Sequence, residues 1–300
     1  MLGQIIGNEP FKQSLQAALR AGRLSHSVLL CGEEGCGTGF AARCLAADYL
    51  YPQGGAAARA VLQSAAPECI QVRGEGALGE IRIDQVRTVR RQVFETALSA
   101  AGRVVIFYGA HKLNQASANA LLKVLEEPPP GVLFILTAYS AAAVLPTIRS
   151  RCGQFQLAPV SPEQCEAYLQ AHCPGCGAPG LLARVYAGRI GLALAAATDE
   201  AARRSLETAL QLARAVGGQD RCRALCLLAA YEKDKPAALR LLSDLANVAA
   251  AALEGGDLGL SPRQAARCAA ACGAAQQAVR RNLNQKLLFT RLAARLCAGA

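Results

Sequence analysis

Apolar residues change their spacing once along this chain. Up to about residue 157, short runs of consecutive apolar residues alternate with segments in which they recur every three or four positions; beyond it only the second spacing remains. The runs Ser27 to Cys31, Cys69 to Val72, Val104 to Tyr108, Val132 to Thr137 and Gln154 to Leu157 predict strands. Strands that are apolar throughout are covered on both faces, which is the habit of a parallel, doubly wound sheet. Between them the spacing predicts helices over 5–22, with Phe11, Leu15, Ala18 and Leu19 on one face, and from about Phe40 onward. A third helix carries Ala118, Leu121, Leu122 and Leu125 at i, i+3, i+4 and i+7 and cannot pass Pro128-Pro129. Residues 162–198 read as a small helical bundle. The last hundred residues are helical, with start signals at Asp199-Glu200, Pro236 and Ser261-Pro262-Arg263-Gln264, and a break at Gly255-Gly256. The pattern predicts an α/β domain over 1–157, a helical domain over 158–200 and a second over 201–300.

Two stretches of the first domain point to chemistry. Gly32-Glu33-Glu34-Gly35-Cys36-Gly37-Thr38-Gly39 lies between a strand and a helix, the setting of a phosphate-cradling P-loop. Gly32 and Gly37 satisfy that pattern. Thr38 stands where a lysine should reach the phosphates, and Gly39 where a hydroxyl should hold magnesium. The other stretch is the helix from Ser117 to Glu127, its double proline, and then Leu145-Pro146-Thr147-Ile148-Arg149-Ser150-Arg151-Cys152. Glu126 and Glu127 sit in the helix's last turn, where the dipole disfavours anions by about 0.3–1 kcal/mol each. Local stability does not account for them.

Together these stretches resemble the clamp-loader branch of the AAA+ ATPases, its delta-prime type above all, from about Ile5 to the C-terminus. The resemblance implies a RecA-like sheet domain, a small helical lid and a C-terminal helical collar. It implies that Arg151, with Ser150 and Cys152 as motif neighbours, reaches the ATP of an adjacent subunit; a solvated loop arginine is the alternative. In the family's active members, carboxylates follow the strand at 104–108, whereas here Tyr108-Gly109-Ala110-His111 follows, and Asp84 lies too far upstream to replace them. The lid segment Tyr186 to Ala193 places Leu192 where a basic residue normally contacts nucleotide, with Arg189 a poorly placed substitute.

The expectation is therefore a non-hydrolysing stator of the DNA polymerase III clamp loader. It would hold no cofactor of its own, its P-loop residues Gly32, Gly37, Thr38 and Gly39 being degenerate. It would join gamma/tau and delta subunits, complete the ATP site of a gamma/tau-type neighbour, and support loading of the sliding clamp onto primed DNA. Family members often carry a four-cysteine zinc module between the P-loop helix and the next strand; only Cys44 and Cys69 bracket that region, so the module is expected to be lost. Asn282-Leu283-Asn284 with Leu287, Leu288 and Leu292 resembles the closing helices of the collar. Leu239, Leu242, Leu245, Leu288 and Leu292 form apolar stripes that one small domain can bury only in part, which leaves the rest for the expected assembly surface. The alternatives are an ATP-binding motor of the same family and a basic DNA-binding scaffold.

Composition changes the picture little. With 300 residues, 52% of them apolar and 18% charged, the chain can build sizeable cores. The net charge of +10 suits an anionic partner, and Arg82, Arg87, Arg90 and Arg91 cluster on one predicted helix, although a basic solvated face accounts for them equally. Thirteen scattered cysteines suit reduced thiols; Cys222 with Cys226, and Cys268 with Cys272, read as small core residues. His172-Cys173-Pro174-Gly175-Cys176 lacks a second ligand pair and reads as a plain loop rather than a metal site. His26 and His111 lack nucleophile partners, and His26 reads as structural. No run of eighteen apolar residues and no signal-peptide layout is present, which predicts a cytoplasmic protein that does not meet a membrane.

Overall fold

Five parallel strands form the scaffold of the first half: β1 (Ser27–Cys31), β2 (Cys69–Arg73), β3 (Arg103–Tyr108), β4 (Val132–Ala138) and β5 (Gly153–Gln156). Their order is β2-β3-β4-β1-β5, and every pairing is parallel. Each expected run is a strand to within a residue or so. The computed structural model describes residues 1–76, 79–94 and 102–298. It divides into two compact units, Met1–Val160 and Ser161–Ala300.

Alternation of side chains along the strands gives the first unit two cores. Val28 and Leu30 face one, where α1 (Glu9–Arg20), α2 (Thr38–Leu50) and α3 (Gly55–Leu62) supply Phe11, Leu15, Leu45 and Val61. Leu29 and Cys31 face the other, built from α4 (Ile83–Val93), α5 (Gln115–Glu126) and α6 (Pro146–Arg149). The expected helix at 5–22 is shorter in the structure because Asn8 is left-handed, with φ 54°. Its side chain instead clasps the backbone of Ala158, donating to the carbonyl at 3.0 Å and accepting from the N–H at 2.9 Å. Where the zinc module would lie, α3 packs Ala58 and Val61 into the core beside α2. Cys44 and Cys69 are buried there, and burial pushes each thiol up to about 12.

The second unit is helical: α7 (Pro162–His172), α8 (Pro179–Val185), α9 (Ile190–Thr198), α10 (Glu200–Gly217), α11 (Arg221–Ala229), α12 (Lys235–Leu253), α13 (Pro262–Arg280) and α14 (Gln285–Leu296). Asp199, Asp234, Ser261 and Asn284 cap the helices that follow them. A buried carboxylate ties the elements together. Asp244 on α12 accepts from the Tyr186 hydroxyl at 3.0 Å and from Ser205 of α10 at 2.5 Å.

One expectation needs correction here. Cys222 and Cys226 are exposed, because α11 turns Ala224 and Leu228 inward, two residues off the cysteine pair; Cys268 and Cys272 are buried. Of the apolar stripes, Leu242, Leu245 and Leu292 are buried within the unit's own core and Leu239 and Leu288 are half-buried, while Leu253, Leu283 and Leu287 are exposed among the described residues. Among the described residues, α12 alone is long and apolar enough to cross a membrane, and half of that window is already buried.

Candidate functional site

The glycine-rich turn leaves the C-terminal end of β1, the edge of an open α/β sheet at which ligand crevices form. Gly35 and Gly37 adopt φ of 88° and 90°, which permits the turn, and Gly37 precedes the first residue of α2. Thr38 opens the helix and Gly39 follows it. A Cβ on Gly32 would lie 3.0 Å from the Leu157 carbonyl oxygen, so the turn passes close to the chain that leaves β5.

At the end of β3 the side chain that faces this turn is aromatic. A Cβ on Gly39 would meet the Tyr108 ring at 3.2 Å. The ring is held from three sides. Its hydroxyl donates to Gln71 of β2 at 3.0 Å and accepts from Arg43 of α2 at 3.5 Å. The Arg73 guanidinium lies over its face, 3.9 Å from the centroid. Sequence reasoning noted the missing carboxylates after this strand but not what replaced them, since Gln71, Arg43 and Arg73 belong to three separate segments.

Arg151 lies at the opposite end of the sheet, just before β5, whose first residue Gly153 pairs with Val28 near the start of β1. Pro146 occupies the first turn of the short helix α6, which ends at Arg149. The next three residues divide their roles: Ser150 and Arg151 are exposed, while Cys152 is buried in the second core. Burial pushes the Cys152 thiol up to about 12, so it serves as an apolar anchor. The guanidinium of Arg151 donates from Nη1 to the Thr147 carbonyl at 2.8 Å and from Nη2 to Glu126 Oε1 at 2.7 Å. Glu126, unfavourable against the dipole of α5, therefore has a cation for a partner. His26 donates from Nε2 to the carbonyl of Leu125 at 3.0 Å, joining the entry of β1 to the same helix end.

The remaining candidates fall outside these two places. Arg189 donates to the Tyr186 carbonyl and to Asn247 at 2.8 Å, an intra-unit structural role. Leu192 is half-buried. Cys173 and Cys176 flank a turn closed by Cys176 N–H to the Cys173 carbonyl at 2.9 Å, and His172 stacks on Tyr168. Among the described residues, no group of three or more histidine, cysteine or carboxylate side chains is placed to hold a metal. On α4 the valines at 86, 89 and 93 face the core, and Arg87, Arg90 and Arg91 face solvent. His111 packs edge-on against Tyr139, and burial followed by the neighbouring Lys112 charge lowers its pKa.

A parallel five-stranded sheet with a glycine-rich turn after β1, followed by a helical unit, is the architecture of AAA+ proteins. A solved DNA polymerase III, gamma subunit-related protein from Thermotoga maritima shares it, with a TM-score of 0.59 and 18% identity over 94% of this chain and 98% of that one. The sequence model of the family described as DNA polymerase III, delta subunit matches residues 7–161, more than half of the chain. The chain belongs to that family, the clamp-loader subunits of DNA polymerase III. It is 34% identical over 177 residues to subunit gamma/tau of Mycobacterium bovis, covering 57% of this chain and 31% of that protein. With subunit delta-prime of Pseudomonas aeruginosa it shares 34% identity over 155 residues, 48% of this chain and 47% of the relative. The match thus spans less than half the length of these relatives.

Proposed function

We propose that this chain is a delta-prime-type stator of the clamp loader, which hydrolyses no ATP itself and completes the ATP site of a gamma/tau-type neighbour. The observation that carries the reading is the Tyr108 ring against Gly39. Magnesium would need a hydroxyl from position 39 and carboxylates at the end of β3. The first is absent, and an aromatic ring flanked by Arg43 and Arg73 stands in place of the second. A divalent cation brought within about 6 Å of each guanidinium meets a repulsion on the order of a few kcal/mol. The residues present do not fit a magnesium-bound triphosphate.

Arg151 asks for nothing from that site. Charge that develops on a transferring phosphoryl group is met by guanidinium donors supplied from outside, worth roughly 10³- to 10⁵-fold where such fingers operate. Here the arginine would act on the ATP of its neighbour. The ring would include gamma/tau and delta subunits, the sliding clamp and primed DNA would be reached through the complex, and the setting would be the cytoplasm.

The isolated chain is expected to show no ATP turnover and no magnesium-dependent binding of labelled ATP, and Thr38→Lys alone is expected to restore neither. In the reconstituted complex, Arg151→Ala should remove part of the DNA- and clamp-stimulated hydrolysis and a larger share of clamp loading, while Arg149→Ala, equally basic and two residues away, should not. Turnover by the isolated chain overturns the stator reading; equal losses from both arginine variants reduce the finger to general electrostatics.

A further inference from the structure

Both ends of the Arg151 fork are occupied by groups of two different helices. Thr147 belongs to α6 and Glu126 to the last turn of α5, and each distance, 2.8 and 2.7 Å, is that of a well-formed hydrogen bond. Neither helix end is loose. The buried residues Ser117, Leu121, Val124 and Leu125 fix α5 in the second core, the His26 ring donates to its Leu125 carbonyl, and Cys152 pins the chain just after the arginine. A free arginine side chain must give up much rotamer freedom to point one way. This one is already aimed, yet its side chain is still 37% exposed, and its other N–H donors have no partner among the described residues.

We infer that Glu126 is a positioning residue for Arg151, holding the guanidinium in the attitude from which its free donors meet the anionic phosphate of a neighbouring subunit. The inference rests on the finger reading given above. It explains a glutamate that the helix dipole disfavours: a partner of opposite charge offsets the local cost. Because the neighbour's own residues hold the nucleotide, loss of positioning acts on the hydrolysis rate and leaves the KM for ATP unchanged. A half-exposed ion pair moves an equilibrium by about 1.5- to 5-fold, so the effect is smaller than that of losing the arginine.

The test compares Glu126→Ala, Glu126→Gln, Arg151→Ala and the double variant in the reconstituted complex, with DNA- and clamp-stimulated ATP hydrolysis measured for each. Glu126→Ala is expected to remove about a third to four-fifths of the turnover that Arg151→Ala removes, through kcat. Glu126→Gln keeps an acceptor at the same reach and should recover part of it. The double variant should be no slower than Arg151→Ala, since positioning has no meaning without the group positioned. If Arg151→Ala slows the complex and Glu126→Ala leaves it unchanged or faster, the inference is overturned and the finger reading stands. A further slowing of the double variant below Arg151→Ala marks a structural effect and overturns it too. If Arg151→Ala leaves hydrolysis intact, the finger reading itself falls.

Discussion

Replacing Gly39 by serine puts the Tyr108 plug to a quantitative test. Gly39 lies in the first turn of α2 with an ordinary helical backbone, so serine there gains about 0.5 kcal/mol of helix propensity over glycine. Against this, the new Cβ would stand 3.2 Å from Cε1 and 3.5 Å from Cδ1 of Tyr108. The ring cannot slide freely, being tethered to Gln71 and covered by Arg73. Pushing it aside by a few tenths of an ångström costs about 1–2 kcal/mol, the lower part of the overpacking range for a half-buried ring. The net expectation is a destabilisation of about 0.5–1.5 kcal/mol. In a Tyr108→Ala background the obstacle is gone, and the same substitution should stabilise by about 0.5 kcal/mol. The sign reverses, with a coupling of about 1–2 kcal/mol between positions 39 and 108. Native-state hydrogen exchange of the α2 and β1 amides reads the first unit separately from the second, which global unfolding of a two-unit chain does not. A shift of the same sign and size in both backgrounds would refute the plug.

Tyr186→Phe removes a hydroxyl that donates to the buried Asp244 carboxylate, so the second unit should lose about 1.5–3 kcal/mol, read from exchange of α12 amides; a loss below about 0.5 kcal/mol contradicts the network. Maleimide labelling of the native chain should modify Cys222 and Cys226 first and leave Cys44, Cys152 and Cys268 untouched until unfolding, which peptide mapping decides. Burial pushes the thiols of Cys44, Cys69, Cys152 and Cys268 up to about 12, so the folded chain keeps protons that unfolded thiols release. The stability this contributes is whole below the ordinary thiol value and is lost as the pH rises toward 12; denaturant midpoints that stay flat over that range would contradict it. Metal analysis of protein purified without a metal-binding tag should find well under one zinc per chain, and a stoichiometric zinc would mean that Cys173 and Cys176 were misread.

The sheet was legible because its three central strands, β1, β3 and β4, are nearly unbroken apolar runs buried on both faces, whereas the edge strands β2 and β5 carry Gln71, Gln154 and Gln156 and are only partly buried. Helix starts were legible for the same local reason: Asp199 and Ser261 each accept a backbone N–H three residues on. What escaped was set by partners distant in sequence. The glutamates at 126 and 127 were recognisable as misplaced in a helix end, yet nothing in the linear order names Arg151 as the partner of the first. Leu242, Leu245 and Leu292 carry an apolar period that is identical for a core and for an assembly surface; packing inside the unit took them, left Leu239 and Leu288 half-buried, and left Leu253, Leu283 and Leu287 exposed among the described residues. Cys222 and Cys226 failed because the register of a nine-residue helix is decided by which stripe its neighbours cover, and α11 chose Ala224 and Leu228.

The two places on which the proposed function rests are supported by different cores, and on that reading this bears on how one could be given up while the other was kept. The glycine turn and α2 rest on the face of the sheet that carries Val28, Leu30 and Leu45. Arg151 is carried by α5, α6 and Cys152, which rest on the opposite face with Leu29 and Cys31. Substitutions at 38, 39 and 108 change packing near the first core and reach the proposed finger only through the strands between them. Distant sites without shared partners behave additively to within about 0.5 kcal/mol. A chain of this architecture can therefore lose the lysine, the hydroxyl and the metal-holding acids of its own site at small cost to an arginine that serves another. Thr38→Lys, Gly39→Ser and Tyr108→Asp combined should accordingly leave the contribution of Arg151 to the activity of the complex unchanged, as judged by the ratio of hydrolysis with and without Arg151→Ala. A ratio that collapses in the combined background would show the two faces to be coupled and would remove the physical basis for their independence.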